Sequence, residues 1–152
     1  MEILGLMISG LSYASAALND QSYSAYAESA AKFIERFLYD KSSKILLRSC
    51  YKGESNQIIN TNTPINGFQV DYAFVIRGFL DLYEVTFNCK WLELAEELQD
   101  VQDKMFWDSE HGGYYSTTTN DSSVILRLRE GKLICIQSID YHLPYIYFIY
   151  MV

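Results

Sequence analysis

The chain has 152 residues, of which 49% are hydrophobic and 15% aromatic, and it carries a net charge of −7. This length and composition are typical of one globular domain with a buried core, and they exclude a disordered chain. The 12 Lys and Arg residues are scattered along the sequence. Because nucleic acids and anionic membranes are bound through clustered basic residues, we expect neither of them as a partner.

The three cysteines, Cys50, Cys89 and Cys135, lie far apart. They form no C-x-x-C motif and have no histidine at the spacing of a zinc site. The sequence also has no glycine-rich phosphate-binding motif. We therefore predict reduced structural thiols, no metal and no cofactor. An intracellular location is the default expectation, and the compartment is undetermined.

The first 20 residues imitate a signal peptide without its charge pattern. The apolar run ends in Ala14-Ser15-Ala16, which looks like a cleavage site. However, the segment before the run carries Glu2 and no positive charge, and Gly5, Ser9 and Gly10 interrupt the run. These features favour a core helix over a cleaved signal.

In chain order, apolar residues at helical spacing predict a first helix over Leu6–Leu18. Asn19 and Asp20 form a break, and a second helix is predicted over Ser22–Leu38. The stretch "DKSSKILLRSCYKGES" then predicts a turn with short strands, and the Asn-rich "NQIINTNTPING" an extended loop.

The same order follows in the second half of the chain. A helix is predicted from about Tyr72 to Phe87, with a break at Asn88 and Cys89. A further helix carries an apolar stripe from Trp91 to Met105. After it, "DSEHGG" predicts a turn, and "YYSTTT" and "VILRLR" predict two strands of a hairpin.

The two halves are related by an internal repeat. Residues 5–40 align without a gap on residues 73–108, so that Gly10 meets Gly78, Tyr23 meets Trp91 and Asp40 meets Asp108. Such self-similarity indicates one supersecondary unit used twice, here over about 5–60 and 73–130. Glycine costs up to ~1 kcal/mol inside a helix, so we expect both repeat-related glycines to pack closely against a neighbouring helix.

Two repeated helical hairpins with short β-hairpin excursions predict a mainly α fold, an incomplete α/α toroid. Four segments, "LGLMISGLSYAS", "DYAFVIRGFLDLYE", "WLELAEELQDVQDKMFWDSEHGGYYST" and "LRLRE", resemble successive parts of the spermatogenesis-associated protein 20 family. That resemblance implies a family with a thioredoxin-like N-terminal domain and a six-hairpin glycosidase-like toroid. Residues 1–130 would then be an internal fragment holding about two of the six hairpins.

The sequence departs from the family pattern at two places. The resemblance implies a Glu-Asp pair before the tyrosine of the second unit, whereas Val70 replaces the glutamate here and Asp71 remains. After Glu130 the resemblance stops, and residues 131–152 form an unrelated apolar tail. We predict that this tail is a read-through or alternative-transcript end. A hydrophobic anchor is the less favoured reading, because a membrane span needs ~20 mostly apolar residues.

Asp71 and Tyr72 are the candidate site residues, catalytic and substrate-binding respectively. Sugar-processing toroids use two carboxylates that flank a glycosidic bond at ~5–9.5 Å. Asp71 opens a helix where a position facing a pocket is plausible. The favoured alternative is that Asp71 is the N-cap of this helix, since Asp accepts hydrogen bonds from the free N–H groups of the first turn.

No second carboxylate is clearly paired with Asp71 in the sequence. Asp81 and Glu84 lie further along the same helix, and Glu54 and Glu110 lie in the predicted loops. Of the two histidines, His111 lies in a turn and His142 in the tail. None of these positions points to an acid–base pair.

Two classes of function therefore remain open. The chain is either a fragment of a carbohydrate-active enzyme whose full-length form binds a carbohydrate-like small molecule, or part of a non-catalytic scaffold or pseudoenzyme linked to spermatogenesis or redox regulation. In either case we expect the chain alone to be inactive. Each hairpin of a toroid packs on its neighbours, so two hairpins alone would expose apolar flanks that promote self-association.

Overall fold

Two helical hairpins and two small antiparallel strand pairs make up the computed structural model, which describes residues 1–53, 58–59, 64–118 and 126–128. The first unit consists of α1 (Glu2–Leu18), α2 (Gln21–Phe33) with a π-helical turn (Ile34–Leu38), and the strands β1 (Tyr39–Asp40), β2 (Ile45–Leu46), β3 (Tyr51–Lys52) and β4 (Ile58–Ile59). The second unit consists of α3 (Gln69–Thr86) and α4 (Cys89–Phe106). The predicted mainly α fold with two hairpins is confirmed.

Both hairpins turn by the same device. Asn19 ends α1 in a left-handed conformation with φ 50°, and Phe87 ends α3 in the same way with φ 53°. The next residue caps the following helix: Asp20 accepts a hydrogen bond from a backbone N–H two residues later at 2.9 Å, and Asn88 does the same at 3.2 Å. These are common C-cap and N-cap solutions, and they explain the predicted breaks.

The repeat continues beyond the helices into the turns. Tyr39 pairs with Leu46 between β1 and β2, and 68 positions later Trp107 pairs with Tyr114 as an isolated bridge. Both pairings are antiparallel. The second unit therefore repeats the β excursion of the first with matching register.

Within these turns the hydrogen bonds also repeat. Lys44 donates its N–H to the carbonyl of Asp40 at 2.7 Å, and Gly112 donates to the carbonyl of Asp108 at 2.9 Å. Lys44 and Gly112 both have positive φ, 59° and 72°. Glycine adopts this conformation without strain, whereas the first unit accommodates a lysine there.

Several boundaries differ from the prediction. α1 begins at Glu2 and α3 at Gln69, earlier than expected, and the loop predicted to be extended contains β4, which pairs with β3. The two strands of the second predicted hairpin are joined by a hydrogen bond from the N–H of Ser116 to the carbonyl of Leu128 at 2.9 Å. Most of the second predicted strand and the tail at 131–152 lie outside the described residues.

α3 is the central helix, packed against α1 and α4 and touching α2. Its contact with α1 is very close, because a Cβ added to Gly78 would lie 2.7 Å from the carbonyl oxygen of Gly5. Gly10 differs, since among the described residues a Cβ there would meet nothing within 4 Å. The expected close packing is therefore confirmed for Gly78 and wrong for Gly10, whose face of α1 is open.

Candidate functional site at the start of α3

Asp71 closes the first turn of α3 from within the helix. It is the third helical residue, and its carboxylate reaches back to accept the backbone N–H of Phe68 at 2.9 Å. The prediction that Asp71 is the N-cap is wrong, because Phe68 is the N-cap and Asp71 lies three residues later. Asp71 nevertheless caps the helix, since its side chain accepts the N–H of Phe68. A carboxylate in the first helical turn also interacts favourably with the helix dipole.

The same carboxylate ties three parts of the fold together. Its Oδ1 accepts the backbone N–H of Glu2 at 3.2 Å, and its Oδ2 accepts from the Nη1 of Arg48 at 3.2 Å. The α-amino group of Met1 lies 3.9 Å from Oδ1. The Arg48 guanidinium also covers the ring of Phe68, 4.4 Å from its centroid. Asp71 is 1% exposed, so the start of α1, the segment after β2 and the start of α3 meet at one buried anion.

Tyr72 braces α3 against the strands. Its hydroxyl accepts the backbone N–H of Leu46 at 3.0 Å, and its ring packs on Phe106 with centroids 5.6 Å apart. Tyr72 is fully buried. Burial raises the pKa of the Tyr72 hydroxyl above its ordinary value. The structure places this side chain in the core, next to Asp71 in sequence but with different partners.

The carboxylates weighed as partners of Asp71 lie elsewhere. Asp81 is ten residues further along α3, which is about 15 Å along the helix axis, well beyond the ~5–9.5 Å separation of a glycosidase pair. Glu110 has a side chain that is 82% exposed, in the turn after α4. Glu54 lies outside the described residues. Glu84 lies still further along α3 than Asp81, so among the described residues neither carboxylate of this helix forms a glycosidase-type pair with Asp71.

A second polar cluster, which the sequence reasoning missed, lies between α1 and α3. The Nε of Arg77 donates to both carboxylate oxygens of Asp81 at 2.9 Å. Ser9 donates its hydroxyl to Asp81, Tyr13 donates to it at 3.3 Å, and the Nη2 of Arg77 donates to the Tyr13 hydroxyl oxygen. Asp81 is 2% exposed, whereas Tyr13 is 49% exposed, so the cluster opens to the surface through Tyr13.

The internal repeat was the available signal for this cluster. Ser9 and Arg77 are equivalent positions of the two units, and so are Tyr13 and Asp81. Both positions are polar in both copies, within helices that are otherwise largely apolar. Because α1 and α3 are adjacent, Ser9 and Tyr13 of the first unit lie beside their repeat equivalents Arg77 and Asp81 of the second.

The sequence of this chain is similar to the sequences of several animal proteins. It is 44% identical over 129 residues to human spermatogenesis-associated protein 20 and 46% identical over 129 residues to the mouse protein. Each match covers 84% of this chain and 16% of the relative. Over these residues, the chain belongs to the spermatogenesis-associated protein 20 family. An uncharacterized protein from Caenorhabditis elegans is 37% identical over 128 residues, 84% of this chain and 17% of that protein. No protein-family model matches the sequence.

Among solved structures, cellobiose 2-epimerase from Spirochaeta thermophila is similar, with a TM-score of 0.59 and 23% sequence identity. The likeness covers 88% of this chain and 31% of the epimerase. At this identity it shows the fold, an α/α toroid of which the chain builds a part. The chain spans about a sixth of the length of the curated relatives it matches.

The part of the family segment that the structure describes holds two cysteines, Cys50 and Cys89, and one histidine, His111. No group of three or more His, Cys, Asp or Glu side chains in it could hold a metal ion. Burial raises the pKa of the Cys50 thiol, and Cys89 is exposed. His111 lies with its Nδ1 3.5 Å from a carboxylate oxygen of Asp108, in the turn where it was predicted. Cys135 and His142 fall outside the described residues.

Within residues 1–53, 58–59, 64–118 and 126–128, no helix combines the length and apolar character needed to cross a bilayer.

Proposed function

We propose that this segment is a structural, non-catalytic part of an α/α toroid, in which it builds two adjacent hairpins, and that it has no glycosidase or epimerase activity on its own. One observation carries the proposal. The carboxylate of Asp71 is 1% exposed and accepts hydrogen bonds from Phe68, Glu2 and Arg48. All three donors belong to the chain itself.

General acid–base catalysis requires a carboxyl group within hydrogen-bond reach of the substrate. Both oxygens of Asp71 are engaged by donors that hold the fold together, and Tyr72 is fully buried. Asp81, which was considered as a second catalytic carboxylate, is held in an ion pair with Arg77. These features favour a structural role over a catalytic one for Asp71 and Tyr72.

The test is a turnover assay on the purified chain. Cellobiose is followed for epimerisation, and a panel of chromogenic aryl glycosides for hydrolysis. We expect the wild-type chain and its Asp71→Asn variant to give the same background rate, with circular dichroism confirming that both are helical. Turnover by the wild-type chain that disappears in Asp71→Asn would refute the proposal.

We infer a second candidate, carbohydrate binding by the longer protein that contains this segment. The likeness in fold to a protein titled cellobiose 2-epimerase supports it. So does the cluster of Ser9, Tyr13, Arg77 and Asp81, in which a half-exposed aromatic ring lies beside charged hydrogen-bonding groups. Ligand sites in proteins combine apolar or aromatic surface with a few placed polar groups.

This candidate is tested by titrating the full-length protein with cellobiose, with Tyr13→Ala as the variant. Tyr51→Ala is a matched control, because Tyr51 is a 50% exposed tyrosine on β3, outside the cluster. Weaker binding in Tyr13→Ala alone supports the candidate. Equal binding in all three proteins, or none, rejects the cluster as a carbohydrate site.

A further inference from the structure

An apolar cleft lies along the first hairpin, between α1 and α2. It has a volume of about 560 Å³, and its walls are mainly Leu4, Met7, Leu11, Tyr26, Ala30 and Phe33. None of the side chains that line this α1/α2 cleft is charged. Met7 is 43% and Tyr26 66% exposed among the described residues, so a partner that removed this surface from water would be stabilised by the hydrophobic effect.

The C-terminal segment 145–152 has the chemistry that such a cleft accepts. Its sequence, "YIYFIYMV", contains no charged side chain, and it combines aromatic rings with aliphatic side chains. The tyrosine hydroxyls can stay in water at the mouth of the cleft while the rings are buried, because tyrosine has an apolar body and a polar tip. The cleft has room for a few such side chains, since pockets of ~300–1,000 Å³ hold small organic molecules.

The segment is also joined to the chain at the right end of the hairpin. The carbonyl of Leu128 accepts the N–H of Ser116, and the carbonyl of Ser116 accepts the N–H of Gln69 at the start of α3. Two residues later, Asp71 accepts the N–H of Glu2 at the start of α1. Backbone segments that are joined by hydrogen bonds lie ~5 Å apart, so Leu128 is close to the end of the cleft that begins at Leu4.

The length of the connection is sufficient for this contact. Residues 129–144 lie between Leu128 and the segment, and a chain of this length can span up to ~50 Å. The cleft extends from Leu4 to Leu11 along α1, which is ~10 Å at 1.5 Å per residue. The segment can therefore reach every part of the cleft.

The other long helix with a solvent-facing side is a poor alternative. The exposed side chains of α4 are mostly charged, and four of them are acidic: Glu93, Glu96, Asp100 and Asp103. An uncharged apolar segment that covered them would remove these carboxylates from water without a partner, which is unfavourable. The uncharged cleft imposes no such cost.

We propose that residues 145–152 bind in the α1/α2 cleft of their own chain and cover Met7 and Tyr26. A second copy could offer the same segment only at the concentration of the protein, whereas a segment on a short linker competes at an effective concentration on the order of 1 mM. The contact holds even for a tail of read-through origin, because burial of apolar surface is non-directional. It is independent of the structural role proposed above.

The first measurement is photo-crosslinking in the complete 152-residue chain. The photoreactive amino acid p-benzoylphenylalanine replaces Met7 in the cleft or, as a control, the exposed Glu93 on α4. Lys132 is the last Lys or Arg of the sequence, so trypsin releases residues 133–152 as one peptide. We expect position 7 to be linked to this peptide within residues 145–152, and position 93 not to be linked to it.

The second measurement is the rate at which peroxide oxidises Met7, which depends on its exposure. Phe148→Glu places an unpaired charge in the segment and should disfavour the bound state. We expect Met7 to be oxidised about tenfold faster in Phe148→Glu than in the wild type. Ile134→Glu is the matched control, because it adds the same charge to the tail outside residues 145–152 and should leave the rate unchanged. Circular dichroism checks that all variants retain the helical signal.

The remaining outcomes overturn the proposal. An equal mixture of unlabelled and isotope-labelled chains should give only unmixed cross-linked products at position 7, and mixed products would show that a second copy occupies the cleft. The same conclusion follows if the chain aggregates and position 7 is linked only between copies. Absence of the 133–152 peptide at position 7, together with equal oxidation rates in all three proteins, would show that the cleft stays open. None of these results alters the outcome of the turnover assay.

Discussion

Gly78 in α3 lies against the backbone of Gly5 in α1, so that two glycines from different units meet where these helices pack. A Cβ at Gly78 would stand 2.7 Å from the Gly5 carbonyl oxygen and 3.2 Å from the Cβ of Ile8. Backbone does not move aside as a flexible side chain does. The contact therefore fixes the distance between the two hairpins.

The first prediction compares two glycines at equivalent repeat positions. Gly78→Ala should lower the free energy of unfolding by about 1–3 kcal/mol, because the methyl group overpacks the contact. Gly10→Ala should raise it by about 0.5–1 kcal/mol, because alanine favours the helix and meets nothing within 4 Å. Urea denaturation measures both. Equal effects of the two substitutions would mean that the hairpins are not packed as described.

A second prediction concerns the buried anion at the start of α3. Asp71→Ala removes the acceptor for the backbone N–H groups of Phe68 and Glu2 and leaves Arg48 without its carboxylate. We expect a loss of at least about 1 kcal/mol in the free energy of unfolding, the usual cost of a lost cap.

Arg48→Ala is the comparison for this site. The Arg48 side chain is 40% exposed, and water replaces part of its interaction with Asp71. It should therefore cost less than Asp71→Ala. If Arg48→Ala proved the more damaging of the two, Asp71 would not be the structural centre that its hydrogen bonds indicate.

A third prediction addresses the cluster between α1 and α3. Removing Arg77 leaves the carboxylate of Asp81, 2% exposed, without its cation, and breaking a buried pair in this way costs up to about 3–5 kcal/mol. Combined with Asp81→Ala, Arg77→Ala should do little further damage. A double-mutant cycle by urea denaturation should give a coupling of about 0.5–3 kcal/mol, and strict additivity would contradict the pairing.

The sequence predicted the order of elements because its signals are local. Helical spacing of apolar residues and the breaks at Asn19 and Asn88 need no knowledge of the rest of the fold. The repeat between residues 5–40 and 73–108 was likewise visible, and the structure carries it into the turn hydrogen bonds.

The features that the sequence did not predict correctly share one physical cause, which is that they depend on tertiary contacts. Asp71 caps α3 from the third helical position, and the residue before the helix is Phe68, whose side chain gives no capping signal. The cluster around Asp81 requires α1 to lie beside α3. The empty space around Gly10 depends on whether another helix packs on that side of α1, and local sequence patterns do not encode this.

The last prediction is the alkaline behaviour of Tyr72. Burial raises the pKa of its hydroxyl above the ordinary value of 10.0 in the folded chain, and the hydroxyl also accepts the backbone N–H of Leu46. Above pH 10 the unfolded chain loses this proton while the folded chain retains it. The contribution to stability is therefore fully present below pH 10 and is lost as the pH rises through the folded pKa. Urea denaturation between pH 8 and pH 11 should show stability falling at the alkaline end.

Tyr72→Phe separates this effect from the titration of lysines and of Tyr39, whose pKa is also raised by burial and by its hydrogen bond to Glu97. At neutral pH the variant should be less stable by about 1–3 kcal/mol, because it leaves the buried N–H of Leu46 without an acceptor. Its stability should then fall less steeply above pH 10 than that of the wild type. Parallel pH profiles would show that Tyr72 ionises as freely in the folded chain as in the unfolded one, which its full burial in the core would not allow.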